Sequence, residues 1–372
     1  MSCIEKKEVA SNADFCESIH RNDSTTLSKE LSGVSELMRT KTGVYVLEDG
    51  SGSMVARDWL TENAEKSIDI QYFIFSTDNI GLIAYDYLIR AADRGVKVRF
   101  IVDDIVVYAD IQYIIDFSSR KNITVKIYNP GVNLGKNIFN KIKKFTLDFR
   151  AANQRMHNKT FIVDGKVVIT GGRNIADEYF DYDHEYNFRD RGILLLGKAS
   201  EKVTNSFNEF WNSSLSKNVT DIIDEKPENI YSQDRFEKLH QYTCNPANFW
   251  PQIRDRIASL PSTFKTIKNS GKLVWLEEVT FISDAPGKND GTHGLGGGGI
   301  STTALINLVK NAKSSIEIQT PYLITTALAR NLFKEAVDRG IKIRIFEFRP
   351  DAAERTKIMT GELHEKLKHT PI

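Results

Sequence analysis

The chain has 372 residues, with 50 Lys and Arg against 49 Asp and Glu and a formal net charge of +1; 41% of residues are hydrophobic. That composition excludes an intrinsically disordered chain and fits two domains or one large α/β unit. The near-zero net charge argues against a dedicated duplex nucleic-acid binder, which carries a basic excess. Cys3, Cys16 and Cys244 have no paired spacing, so neither a disulfide framework nor a zinc site is expected, and a reducing compartment fits best.

Residues 1–42 are rich in Ser, Glu, Lys and Asn and read as a polar, mobile lead-in with one short helix, without the apolar run of a signal peptide. No stretch reaches the length of a membrane span. From Gly43 the pattern becomes α/β. Helical spacing through Ala56, Leu60 and Ala64 leads into the alternation Ile68, Ile70, Tyr72, Ile74, which predicts a strand. A helix is expected from about Gly81 to Arg94, stopped by Gly95, and Val96 to Asp104 reads as a buried strand ending in two carboxylates.

The same pattern returns downstream. Asn63-Ala-Glu-Lys-Ser-Ile-Asp-Ile-Gln71 matches Asn311-Ala-Lys-Ser-Ser-Ile-Glu-Ile-Gln319 at six of nine positions. Asp93-Arg-Gly-Val-Lys-Val-Arg99 matches Asp338-Arg-Gly-Ile-Lys-Ile-Arg344 at five of seven. The offsets are 248 (311 − 63) and 245 (338 − 93), a period that signals two copies of one domain rather than a solenoid. The expected division is a first domain over 43–220, a Pro-containing connector over 221–262, and a shorter second domain over 263–372.

Between the repeats lies Met156-His-Asn-Lys-Thr-Phe-Ile-Val-Asp-Gly165, followed by Gly171-Gly-Arg-Asn174; the spacing is H-x-K-x4-D-x6-G-G-x-N. Alternation predicts a strand here, with Asp164-Gly165 as a hairpin turn into a second strand. On a strand, His157 and Lys159 share a face. Gly171 and Gly172 would let the backbone approach a ligand closely, and Asn174 can donate from its amide. An imidazole can attack phosphorus, an ammonium can hold a phosphate oxygen, and amide donors can steady developing charge. A nucleophilic His needs a carboxylate on its other nitrogen, and Asp190, in Phe188-Arg-Asp-Arg191, is the candidate.

These residues resemble the signature of the phospholipase D superfamily, H-x-K-x4-D followed by G-[SG]-x-N, and more narrowly the short bacterial cardiolipin synthases without membrane spans. The likeness runs from about residue 45 to the C-terminus, through IDIQYFIF, RGVKVRFIVDD, RMHNKTFIVDG, GGRNIADEYF and the FRDR region. It implies an α/β fold with a mixed sheet flanked by helices and a pseudo-twofold duplication, the second half incomplete. It also implies a ping-pong phosphatidyl transfer through a phosphatidyl-histidine on His157. Lys159 and Asn174 would bind the phosphate, Asp164 would be mainly structural, and Asp190 would orient His157. Gly171, Gly172, Tyr72 and Asp104 would line the substrate site, with Asp103 and Asp104 as a rim. No metal or other cofactor is implied. The implied partners are an anionic phospholipid surface at the inner face of the cell membrane and phosphatidylglycerol or phosphatidylethanolamine as substrates, with no nucleic acid.

The superfamily pattern has a second motif, and the equivalent of the 58-residue interval from Arg99 to His157 would place it near 402 (344 + 58), beyond Ile372. His364-Glu-Lys366 has Pro371 where the Asp should stand and reads as a helix face. Either a homodimer pairs two His157 sites, or the chain is a truncated form that is impaired or only binds head groups. Hydrolysis of a phosphodiester by water, as a phospholipase or nuclease, is the alternative reaction. Lys136 to Arg150, with five basic residues against one Asp, reads either as a membrane-facing amphipathic helix or as an ordinary packed one. Gly294 to Gly299 reads as a flexible loop, and Phe207, Phe210 and Trp211 read as core.

Overall fold

The computed structural model describes residues 26–104, 111–130, 154–183, 187–222, 233–249, 251–288, 299–320, 323 and 325–347. The chain divides into two compact units, Met1–Leu295 and Gly296–Ile372. The basic stretch 136–150, most of the glycine run and His364 lie outside the described residues.

The first unit is built on one nine-stranded mixed sheet. In chain order its strands are β1 (Thr42–Leu47), β2 (Ser67–Tyr72), β3 (Lys97–Asp103), β4 (Ile123–Tyr128), β5 (Thr160–Val163), β6 (Val167–Gly171), β7 (Gly192–Gly197), β8 (Ser216–Asn218) and β9 (Val274–Leu276). They lie in the order β8-β4-β3-β2-β5-β6-β7-β1-β9. The neighbours β2, β3 and β4 are parallel, and every other pairing in this sheet is antiparallel. The helix Asn79–Asp93 makes the crossover from β2 to β3; Asp78 caps its start and Gly95, at φ +100°, follows its end.

Both faces of the sheet are covered, as the period-2 pattern requires. Ile68, Ile70, Tyr72, Phe100, Phe161 and Val163 enter one core with the helices Gly50–Asn63 and Asn79–Asp93. Ile101, Ile162, Val168 and Leu195 enter the other, against Val203, Phe207, Phe210 and Trp211 of the helix Ser200–Asn212.

Four expectations change here. Residues 27–40 are not mobile lead-in, because Leu27, Leu31, Val34 and Met38 are buried in the first core. The connector carries the helices Gln233–Thr243 and Pro251–Ala258, and Phe236, Leu239, Phe249, Ile257 and Leu260 pack into that core. The compact division falls after Leu295 rather than at 263, since β9 pairs with β1 (Thr42 opposite Leu276). Cys244 is disulfide-bonded, which sequence spacing could not reveal because it says nothing about spatial proximity.

The second unit repeats the helix–strand–helix–strand order: Ile300–Asn311, β10 (Ser315–Thr320), Ala327–Asp338 and β11 (Lys342–Glu347). The repeat extends to individual bonds. Ser67 faces Lys97 across the parallel β2–β3 pair, and Ser315 faces Lys342 across the parallel β10–β11 pair. Arg94 donates to the carbonyl of Thr61 at 2.7 Å, and Arg339 donates to that of Val309 at 3.0 Å. Asp69 accepts two bonds from Arg99, at 2.6 and 2.7 Å, and Glu317 accepts from Arg344.

Burial separates these last two pairs. Asp69 is 6% exposed, and the Arg99 guanidinium lies over the rings of Phe207 and Trp211. Glu317 is 58% exposed and Arg344 66%. Asp69→Asn should therefore cost about 2 kcal/mol in urea unfolding followed by tryptophan fluorescence, less than a fully buried pair because Arg99 is a third exposed. Glu317→Gln should change the hydrogen-exchange protection of the β10–β11 amides by no more than about 0.5 kcal/mol.

Candidate active site

Residues 154–159 run without regular secondary structure into β5. Buried Asp103, at the end of β3, holds this segment: one carboxylate oxygen accepts from the Met156 N–H at 2.8 Å and the other from Arg155 Nη1 at 3.1 Å. Arg155 also reaches the Asn129 carbonyl at 3.3 Å, and the Asn129 amide donates to the Gln154 carbonyl at 3.0 Å. Met156 is buried in the second core, so His157 is fixed on both its chain and its packing side. The β5–β6 turn is equally tied. Asp164, at φ +52°, accepts the N–H groups of Glu65, Lys66 and Ser67 at 2.7–3.0 Å, clamping the start of β2.

His157 and Lys159 meet although their segment precedes the strand. Lys159 Nζ lies 3.3 and 3.4 Å from the two imidazole nitrogens and donates to the His157 carbonyl at 2.9 Å. The imidazole sits on the Phe73 ring, with centroids 4.8 Å apart, and Lys159 Nζ is 5.5 Å from the centroid of the same ring. The next residue, Ile74, donates its N–H to Asn174 Oδ1 at 3.1 Å. Phe73 and Ile74 thus bring His157, Lys159 and Asn174 to one place. The Asn174 amine makes no hydrogen bond among the described residues.

The charges set the chemistry. Burial, followed by the positive charges of Lys159 and Lys288, pushes the His157 imidazole down to about 4, so it is neutral at pH 7. Burial also lowers Lys159 to about 8; Asp190 opposes that shift and Lys288 adds to it. Burial raises the Asp190 carboxyl against the pull of Arg173 and Lys159. A neutral imidazole beside a cation that an incoming anion can neutralise is a poised nucleophile for an anionic centre.

Several expected roles do not fit these positions. Tyr72 is fully buried, its hydroxyl accepting from Arg57 Nε at 3.0 Å, so it belongs to the core and Phe73 takes the place beside His157. Asp103 and Asp104 form no rim, since both are wholly buried. Asp190 makes no hydrogen bond to His157; its carboxylate acts on Lys159 and Arg173. The glycines are approached by protein rather than left open for a ligand. A Cβ on Gly171, at φ +152°, would stand 2.2 Å from the Arg191 carbonyl oxygen, and one on Gly172 would stand 2.5 Å from Asp190 Oδ1. Sequence reasoning missed Phe73, Arg155 and Lys288. Only Phe73 carried a signal, being out of phase with the buried Ile68, Ile70 and Tyr72.

Two measurements check this geometry. NMR titration of the His157 ring should give a midpoint near 4, rising in Lys159→Met as the neighbouring positive charge is removed; a midpoint of 6 to 7 in the unmodified protein would contradict the arrangement. Gly171→Ala, with neither a permitted φ nor room for its methyl, should cost about 3 kcal/mol in urea unfolding.

Residues 60–211 match the family of cardiolipin synthase, phospholipase D-like domains. The chain is 31% identical over 304 residues to a functionally uncharacterized protein of Helicobacter pylori, covering 82% of this chain and 59% of that protein. It is 30% identical over 308 residues to cardiolipin synthase C of Escherichia coli, covering 82% of this chain and 62% of the relative. The chain therefore spans about three fifths of the length of these two relatives. Among solved structures, the phosphatidylserine synthase of Haemophilus influenzae aligns at 14% identity with a TM-score of 0.51, covering 91% of this chain and 74% of that one, a likeness of fold. Residues 60–211 thus match a phospholipase D-like domain, and the chain resembles a bacterial cardiolipin synthase over 82% of its length.

Proposed function

We propose that this chain is a phosphatidyltransferase of the cardiolipin synthase type, with His157 as its nucleophile. The observation that carries the reading is the neutral His157 ring seated on Phe73, with the Lys159 ammonium within 3.4 Å of both its nitrogens. An imidazole nitrogen forms the N–P bond while the P–O bond to the leaving alcohol breaks, and that alcohol takes up a proton. A second alcohol then loses its proton, forms a new P–O bond and breaks the N–P bond, restoring the neutral ring. Lys159 and the Asn174 amine hold the non-bridging oxygens and stabilise the added charge. Asp164 acts through the β5–β6 turn rather than on the phosphate, and Asp190 acts on Lys159.

The donors are phosphatidylglycerol or phosphatidylethanolamine at an anionic membrane surface, reached peripherally from the cytoplasmic side. No helix among the described residues is long and apolar enough to cross a membrane. A second H-x-K-x4-D site would supply the leaving-group proton, and a homodimer joining two His157 sites is one way to provide it. Without that acid, turnover is reduced by about 10²–10⁴-fold. With water as the second acceptor, the same intermediate gives hydrolysis.

The test is to incubate the protein with vesicles of phosphatidylglycerol bearing radiolabelled phosphate, quench without acid and look for labelled histidine. Label is expected on wild type and absent from His157→Ala. No label on wild type, where a two-motif relative is labelled, would overturn the proposal. The labelling rate should be level between about pH 5 and 7. It should fall below that as His157 gains a proton, its ordinary value of 6.5 being displaced to about 4. It should fall again as the pH passes about 8, where Lys159 loses its charge.

A further inference from the structure

The segment that follows β9 returns to the stretch that carries His157 and brings a cation with it. Val279 and Phe281 pack against the second core, the cluster that holds Met156. Ser283 Oγ accepts a 2.7 Å hydrogen bond from the side chain of Asn158, the residue between His157 and Lys159. Gly287 donates its N–H at 2.8 Å to the hydroxyl of Tyr128, which is fully buried at the end of β4. The turn between these anchors, Ser283 to Lys288, is thus fixed at both ends to elements that also hold His157. Its Lys288 Nζ lies 3.3 Å from Asp284 Oδ2, with the lysine side chain 32% exposed and the carboxylate 13%. The charge of Lys288 is felt by both His157 and Lys159.

We propose that Lys288 is a second phosphate-binding cation of the His157 site, positioned by Asp284 on a turn that Asn158 and Tyr128 anchor. This rests on the reading of the site as one for phosphodiesters and adds the group that selects an anionic headgroup phosphate. A lone ammonium at Lys159 neutralises one charge. A tetrahedral phosphate bearing two exposed oxygens is held better by two cations on different sides, and Lys288 comes from a segment 129 residues further along the chain (288 − 159). With its ion pair partly exposed, Lys288 can exchange the Asp284 carboxylate for a phosphate oxygen at small cost.

Inorganic phosphate is the probe, with binding measured by calorimetry on the full chain. Lys288→Gln should weaken binding at least about fivefold, and Lys288→Arg should restore most of it. Asp284→Asn, which releases the lysine from its carboxylate, should tighten binding. The His157 ring, which lies by Lys159 and Phe73 and feels the charge of Lys288, should titrate higher in Lys288→Gln, a change that a purely structural lysine would not produce. Unchanged phosphate affinity and an unmoved His157 titration in folded Lys288→Gln would overturn the assignment, as would weaker binding in Asp284→Asn. None of these readings needs turnover. Failure of the phosphohistidine labelling therefore leaves Lys288 standing, and failure here leaves the labelling result standing.

Discussion

The site depends on one buried carboxylate. Asp103 has no exposed surface, yet its two oxygens take the Met156 N–H and the Arg155 guanidinium, so the chain before β5 can run in only one path. Removing either donor would take a hydrogen bond from a fully buried carboxylate, at a cost on the order of 1–3 kcal/mol. Asp164 does the same at the other end of the strand, with three backbone donors. The pair His157 and Lys159 thus lies within a stretch held at both ends by carboxylates, those of Asp103 and Asp164. Precision at the imidazole comes from strand ends and a turn rather than from a partner on the ring itself.

The electrostatics follow from that placement. Burial and neighbouring cations both oppose a proton on His157, and both oppose one on Lys159, so the site in its free state is short of negative charge. Asp190 supplies part of what is missing to Lys159. An incoming phosphate would supply the rest, and the same protein groups that keep the ring neutral would hold the anion it attacks. In the proposed reaction, nucleophile activation and anion recognition would be one arrangement, not two.

Much of this was legible in the sequence, and the limits have physical causes. The strand periods of β2, β3 and β5 and the Asp164-Gly165 turn are local properties, and the repeat shows in the sequence because equivalent residues make equivalent bonds, Arg94 to Thr61 as Arg339 to Val309. The motif residues lie close together, His157 and Lys159 by Phe73 and Asn174 bonded to the neighbouring Ile74. Tyr72 and Phe73 were exchanged because the pattern of alternation gives two faces without saying which one holds the site. Gly171 and Gly172 were assigned to a ligand because a glycine shows that something comes close, not what. The Arg191 carbonyl and the Asp190 carboxylate are what come close. Lys288 gave no signal, since its relation to His157 exists only after β9 has joined the sheet.

That late strand has a consequence for how the protein is made. β9 pairs with β1, Val274 lying opposite Val44, so 230 residues (274 − 44) separate two neighbours in one sheet. At a synthesis rate of about 5–20 residues per second, β1 must wait on the order of 10–50 s for that partner to be translated. During that interval one edge of β1 has open hydrogen-bonding groups, the kind of surface that pairs with the wrong strand. The protein is therefore expected to pass through a nascent stage in which the motif strand has been synthesised but the sheet beside β1 has no outer edge, a stage at which chaperone contact matters more than native stability.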